Sequence, residues 1–418
     1  MNMHRYTAVL LLSWFSQGLL VPVLSLVFME KGLSLSNLTL GIGVYSAVVV
    51  LLEIPTGVAA DLLGKRNIFL LSQLTGAAAF LLLLMGSGVL RILAAAGLLG
   101  AARALSSGSF EALVIERYRQ DGGPDRLPSA IRLLSVSESV GLSAGSLAGG
   151  LLPLFSRRFP VFSGAYDLNL LLRLLLSLVL VLLLLLLIPR DLPAGTEKRT
   201  PLGAHLRQST SLLRGSMLLR RILLAGMGIG LVLCVLESYW QPKFLGMLDT
   251  PEAETFLLGV LSLLYMASVA GGNLLSEKLV RSSRIGFKSV FIGARLAMLS
   301  FVALAAVSLR PLSFALCYCL LYFCFGISNI AEGTMINAAV PDENRATFLS
   351  LQSFALQLGA IAAAFGSSLL GVRSVGTLWL LASGMALVLL LPSLKIRLPS
   401  AREKTGGAVP PVQEKTSG

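Results

Sequence analysis

The chain has 418 residues, of which 55% are hydrophobic and 13% charged, and its mean hydropathy is +0.81. That balance excludes a soluble globular domain and identifies a polytopic membrane protein. The formal net charge of +13 would suit a nucleic-acid binder, but the placement of the cations, described below, gives it another origin.

A bilayer core needs about 20 apolar residues per helix. Twelve segments qualify: 6–29, 37–60, 67–86, 89–112, 129–153 and 168–188, then 222–245, 256–275, 287–307, 312–336, 346–370 and 374–394. They are continuous apolar runs, not the alternating strands of a transmembrane β-barrel. The first follows Arg5 and lacks a small-residue cleavage site, so it is expected to be a retained helix and not a removed signal peptide.

In chain order, span one carries Trp14, Phe15 and Gln17, and span two carries Glu53 before the tract Gly57-Val-Ala-Ala-Asp61-Leu-Leu-Gly64-Lys65-Arg66. Span four holds Arg103 and runs into Ser107-Gly108-Ser-Phe-Glu111-Ala-Leu-Val-Ile-Glu116. Span five holds Glu138 and the series Gly141, Gly145, Gly149 and Gly150, whose spacing lets helices approach closely. Span six is almost pure Leu and Val apart from Arg173 and Ser177, so it is expected to face lipid and to offer a solute little. Residues 189–221 bring Pro189, Pro193, Gly195, Pro201 and seven cations, and read as a cytoplasmic linker that is partly helical near 202–219. Span seven carries Glu237, Tyr239, Trp240 and Gln241, and span ten carries Ser328 and Asn329. The tail, 395–418, turns to Gly, Pro, Lys and Glu and is expected to be disordered.

The cations sort by side. Of 34 Lys and Arg, seven fall in one set of loops, four sit inside spans (Arg103, Arg132, Arg173, Arg295) and 23 lie in the opposite loops and the termini. By the positive-inside rule both termini are cytoplasmic, and the basic balance reflects topology rather than a nucleic-acid partner.

Two halves, 1–188 and 222–394, echo each other at a shift near 218 residues. Leu40-Gly41 matches Leu258-Gly259, Gly141 matches Gly359, and Phe110-Glu111-Ala112 is loosely answered by Ala331-Glu332-Gly333. A repeat of six spans, an even number, keeps both copies in one orientation, which gives a parallel repeat about an axis along the membrane normal.

A charge at membrane depth costs about 2.5–3.5 kcal/mol and persists where it is paired, hydrated or functional. Glu53, Glu138 and Glu237 are therefore candidate solute or proton carriers, with Arg103, Arg173 and Arg295 as possible countercharges; salt-bridged struts are the alternative. Tyr239 and Trp240 offer apolar and cation–π surface to a cavity, although interfacial anchoring is the ordinary role for Trp240 and for Trp379. The four cysteines (Cys234, Cys317, Cys319, Cys324) read as packing residues, and His4 and His205 are too few for a ligand cluster, so neither disulfide, metal nor cofactor is expected.

The Gly57–Arg66 tract resembles the loop signature of the major facilitator superfamily, Gly-x-x-x-Asp-(Arg/Lys)-x-Gly-(Arg/Lys)-(Arg/Lys), with Leu62 where the family usually has a cation. Span five resembles the family's antiporter signature, Gly-x-x-x-Gly-Pro-x-x-Gly-Gly, with Ser146 in place of the proline. Glu53-Ile-Pro-Thr-Gly57, the Ser107–Glu116 tract and Pro341-x-x-x-Arg345-Ala-Thr also look like the family, the first two like its bacterial drug and small-molecule exporters. The resemblance implies an all-α membrane protein of twelve transmembrane helices in two pseudo-symmetric six-helix bundles. Spans one, four, seven and ten would line a central cavity. Asp61 would dock onto span eleven near Arg345, and Lys65 and Arg66 would latch Glu111 or Glu116.

The function expected is proton-coupled export of amphipathic or cationic small molecules by alternating access, from a monomer in the bacterial inner membrane. Proton-coupled uptake and lipid flipping on the same fold are the alternatives, and a sensor that binds without transporting remains open. The chain has no Gly-x-x-x-x-Gly-Lys-Ser/Thr loop, so ATP is not expected as the direct energy source, and no histidine in a span to serve an enzyme.

Overall fold

A computed structural model describes residues 3–122, 127–156, 158, 162–190, 216–250, 254–281, 286–340, 342–370 and 374–396. The first group of helices is α1 (Met3–Gly18), α2 (Leu24–Glu30), α3 (Leu38–Leu63), α4 (Lys65–Leu84), α5 (Val89–Ser106), α6 (Phe110–Gly122), α7 (Leu127–Ser156) and α8 (Asp167–Leu187). The second is α9 (Met217–Leu245), α10 (Phe256–Arg281), α11 (Phe287–Val307), α12 (Pro311–Ala339), α13 (Asp342–Leu370) and α14 (Val375–Leu390). Ten helices among the described residues are long and apolar enough to cross a membrane. Most of the expected amphipathic linker piece and nearly all of the tail lie outside the described residues.

The two groups repeat one pattern of packing. In the first, α1 packs on α7 and α8, α3 on α5, and α4 on α5 and α8. In the second, α9 packs on α13 and α14, α10 on α12, and α11 on α12 and α14. Substituting each helix for its counterpart turns one set of neighbours into the other, as a parallel repeat requires. The glycines at the 218-residue shift play matching parts. A side chain on Gly141 would meet the Phe15 backbone nitrogen of α1 at 2.9 Å, and one on Gly359 would meet the Leu231 nitrogen of α9 at 2.9 Å. Gly145 lies against Phe15 and Gly18 of α1, Gly149 against Leu19 in the turn that follows, and Gly150 instead faces Gly259 of α10, across the two groups.

Three expected boundaries move. Span one is not continuous: α1 stops at Gly18 and α2 starts at Leu24. Pro22 lacks an N–H and obstructs a helical turn, and the turn leaves carbonyls needing partners away from water. The Leu19 carbonyl accepts from Asn169 Nδ2 at 3.0 Å, and the Val21 carbonyl accepts from Gln241 Nε2 at 3.1 Å. Span four ends early, because Gly108 takes a φ of +70° between α5 and α6, and the Ser109 hydroxyl donates to the Ser106 carbonyl at 2.8 Å. A single residue, Gly64 at φ +88°, joins α3 to α4. Only glycine holds that backbone without strain.

Candidate functional site

The two groups meet through α3 with α13 and α7 with α10. Their polar cross-contacts gather at the end remote from the Gly57–Arg66 loop. There the Thr39 and Ser367 hydroxyls lie 2.7 Å apart, the Ser368 hydroxyl donates to Asn37 Oδ1 at 3.3 Å, and Ser25 Oγ donates to the Glu237 carbonyl at 3.4 Å. Further toward the loop, Ser353 Oγ donates to the Glu53 carboxylate at 3.2 and 3.3 Å. The described contacts thus seal the end away from the loop.

A cavity of about 470 Å³ lies inside the first group and reaches one side chain of the second. Helices α1, α3, α4, α5 and α8 form most of it. Its walls are apolar (Leu20, Phe69, Phe80, Leu99 among them) with hydroxyl and amide groups from Ser13, Ser72, Gln73 and Tyr45. Three of the expected residues meet there, namely Gln17 of α1, Arg103 of α5 and Glu237 of α9.

Sequence reasoning missed Arg173 and Ser177 as cavity residues. The expectation that span six faces lipid and offers a solute little is corrected: both line the cavity from α8. The Arg173 guanidinium donates to Ser16 Oγ and lies 5.1 Å over the Phe80 ring, while its Nε has no partner among the described residues. The signal was present. Two polar residues four apart share one helix face, and a lipid-facing stripe has no use for them. Arg103 is exposed into this space, and no described carboxylate pairs with it.

Glu237 stands at the junction. Its Oε1 accepts from the Tyr322 hydroxyl at 3.4 Å, so its far side abuts an aromatic cluster that fills the second group. Tyr322 stacks on Tyr265 at 4.5 Å between centroids, Tyr318 lies 5.1 Å from Tyr322, and Trp240 lies 5.4 Å from Tyr318. Trp240 and Trp379 are therefore core residues, 2% and 0% exposed, and not interfacial anchors. Tyr239 is buried as well, and neither Tyr239 nor Trp240 lines the cavity.

The remaining candidates lie apart. Glu138 is exposed on α7, with Glu111 and Arg103 as its electrostatic neighbours. Asn329 is a 3.5 Å acceptor for Arg295, which belongs to a pair not foreseen: Arg295 Nη2 lies 2.6 Å from Glu332 Oε2, both side chains 4% exposed. Gln352 Nε2 donates to the other Glu332 oxygen at 2.8 Å. Opposite charges on the neighbouring spans nine and ten were the available clue.

At the loop, Lys65 pairs with Glu116 as the family resemblance implies. Arg66 is buried and donates to the Leu184 and Leu185 carbonyls at 3.1 and 3.3 Å, where a cation suits the C-terminal end of α8. Gly57 has open space around it, and Glu111 lies in the first turn of α6. The side chains of Asp61 and Arg345 are outside the described residues, so the expected docking of Asp61 is too.

The family model described as Major Facilitator Superfamily matches residues 7–364. The chain belongs to the major facilitator superfamily. It is thus a multi-pass membrane protein of a transporter family, and solved members share its architecture. The nucleoside transporter NupG superposes with a TM-score of 0.74 at 17% identity, covering 95% of this chain and 100% of that one. A bacterial homolog of the human lysosomal transporter Spinster, in an inward-facing and occupied conformation, gives 0.72 at 14% identity over 94% and 95%. An auto-inhibited POT family peptide transporter gives 0.72 at 13% identity over 94% and 97%. At such identities the likeness concerns the fold alone. Comparison with curated proteins found no match.

Proposed function

We propose that the protein is a proton-coupled secondary transporter of the bacterial cytoplasmic membrane that exports a small amphipathic solute by alternating access. The observation that carries this reading is the cavity. It is enclosed mainly by one helical group, touched by Glu237 of the other, and closed by the described cross-contacts at the end away from the loop. Opening that seal while closing the loop end would turn the site from one side of the membrane to the other, with each group moving as a body. With the loop on the cytoplasmic side, the described contacts lie at the outer end, and in this reading solute enters from the cytoplasm. The apolar walls with scattered hydroxyl and amide groups suit an amphipathic solute. Glu237 is the carboxylate placed to exchange a proton as solute comes and goes, because among the described lining residues it alone joins the cavity to the second group. The antiporter-like glycines of α7 support exchange as the coupling mode.

Accumulation of amphipathic dyes in expressing and non-expressing cells, with and without an uncoupler, tests the direction. Expressing cells accumulate less dye, and the uncoupler removes the difference. Higher, uncoupler-sensitive accumulation in expressing cells would establish uptake and defeat export.

A further inference from the structure

We infer that the solute bears an acidic group, a carboxylate or a phosphate, received between Arg103 and Arg173, with its apolar body against Phe69, Phe80 and Leu99. This rests on the transport reading and, of the amphipathic or cationic solute expected from the sequence, keeps the amphipathic character and reverses the charge. The argument is one of charge and partners. Among the described lining residues two are guanidinium groups and one, Glu237, is an acid. Glu237 faces Tyr322 of the second group and forms no ion pair with either arginine. Arg103 has no described ion-pair partner, and Arg173 keeps one N–H donor, Nε, buried and unused beside its bond to Ser16. Arg103 stands in the last turn of α5 with Glu138 as its nearest described acid, and an arginine that lines a cavity without an ion pair is free to meet an arriving partner there. The guanidinium presents planar donors that match carboxylate and phosphate oxygens. An ammonium in the same place would meet two positive charges and, among the described lining residues, a single acid.

The source of the acidic group, a free amphiphile or a lipid headgroup, is separable by experiment. Full-length protein in phosphatidylcholine nanodiscs is titrated with naphthoate, naphthyl phosphate and naphthylmethylammonium, which share one apolar body. The wild type binds the tighter anion at least about tenfold more strongly than the ammonium, the scale of one charge-assisted hydrogen bond. Arg103→Gln and Arg173→Gln each erase most of that preference, while Arg103→Lys retains much of it and reports that the site is folded. Doping the nanodiscs with phosphatidic acid then assigns the source. Displacement of the anion marks a lipid headgroup and no displacement a free amphiphile, and both keep the acidic group. Equal or tighter binding of the ammonium, no binding of either anion, or a preference that survives in both glutamine variants would overturn the inference. Counterflow in proteoliposomes is scored separately: anion preference without counterflow sinks the transport reading alone, and counterflow without anion preference sinks this inference alone.

Discussion

The two helical groups share a plan of neighbours and differ in what fills them. The first is hollow around Arg103 and Arg173, whereas the second is packed with Trp240, Tyr265, Phe314, Tyr318, Tyr322 and Trp379. Each group also places arginine inside the membrane, but with different company. Arg295 is neutralised by Glu332 and flanked by the Phe291 and Phe325 rings at 5.5 and 5.6 Å. In the first group Arg103 has no described ion-pair partner, and its nearest described acid is Glu138, exposed on α7. A repeated plan of helices thus yields one group with a packed interior and one with a cavity, and Glu237 stands where the two interiors touch.

The largest expected effect comes from breaking the buried pair. Glu332→Ala strands a buried guanidinium and costs about 3–5 kcal/mol, measured as a fall in thermal stability of the purified protein. Arg295→Met with Glu332→Leu recovers most of it, and a double variant no better than the single one would show that the pair is not what matters. The matched glycines probe the shared plan. Gly141→Leu and Gly359→Leu each overpack a helix contact by about 1–3 kcal/mol, and losses differing by more than that range would deny the equivalence of the halves. Gly76→Leu probes the hollow. A side chain there meets only Phe80 and Ala102 at 3.8 and 3.9 Å, so stability moves by less than about 1 kcal/mol while anion binding and transport are lost. The smallest effect is at the loop: with Glu116 half exposed, Lys65→Gln changes stability by about 0–1 kcal/mol, and its consequence is read in transport rate.

Much of the fold was legible because spans announce themselves by local composition. Span nine, expected at 287–307, is helix α11 over Phe287–Val307. Pairing between spans is another matter, since it depends on residues tens to hundreds of positions apart. Gln17, Arg103 and Glu237 were found because polar residues stand out within a span, and the structure brings them into one cavity. Arg173 was undervalued because its leucine-rich surroundings weighed more than its own charge. The Arg295–Glu332 pair could not be told from any other pairing until α11 and α12 were seen side by side. The break at Pro22 was obscured by strongly apolar flanks, and its cost is met by Asn169 and Gln241, far along the chain.

The central claim is that the halves tilt about the cavity and part where Thr39 meets Ser367. Pulsed electron–electron distance measurement between spin labels at Ser36 and Leu369, with the four cysteines replaced, addresses it in proteoliposomes. The account predicts a short distance that gives way to a second, longer population when naphthoate is added or the pH lowered. One unchanging short distance under all those conditions would contradict it.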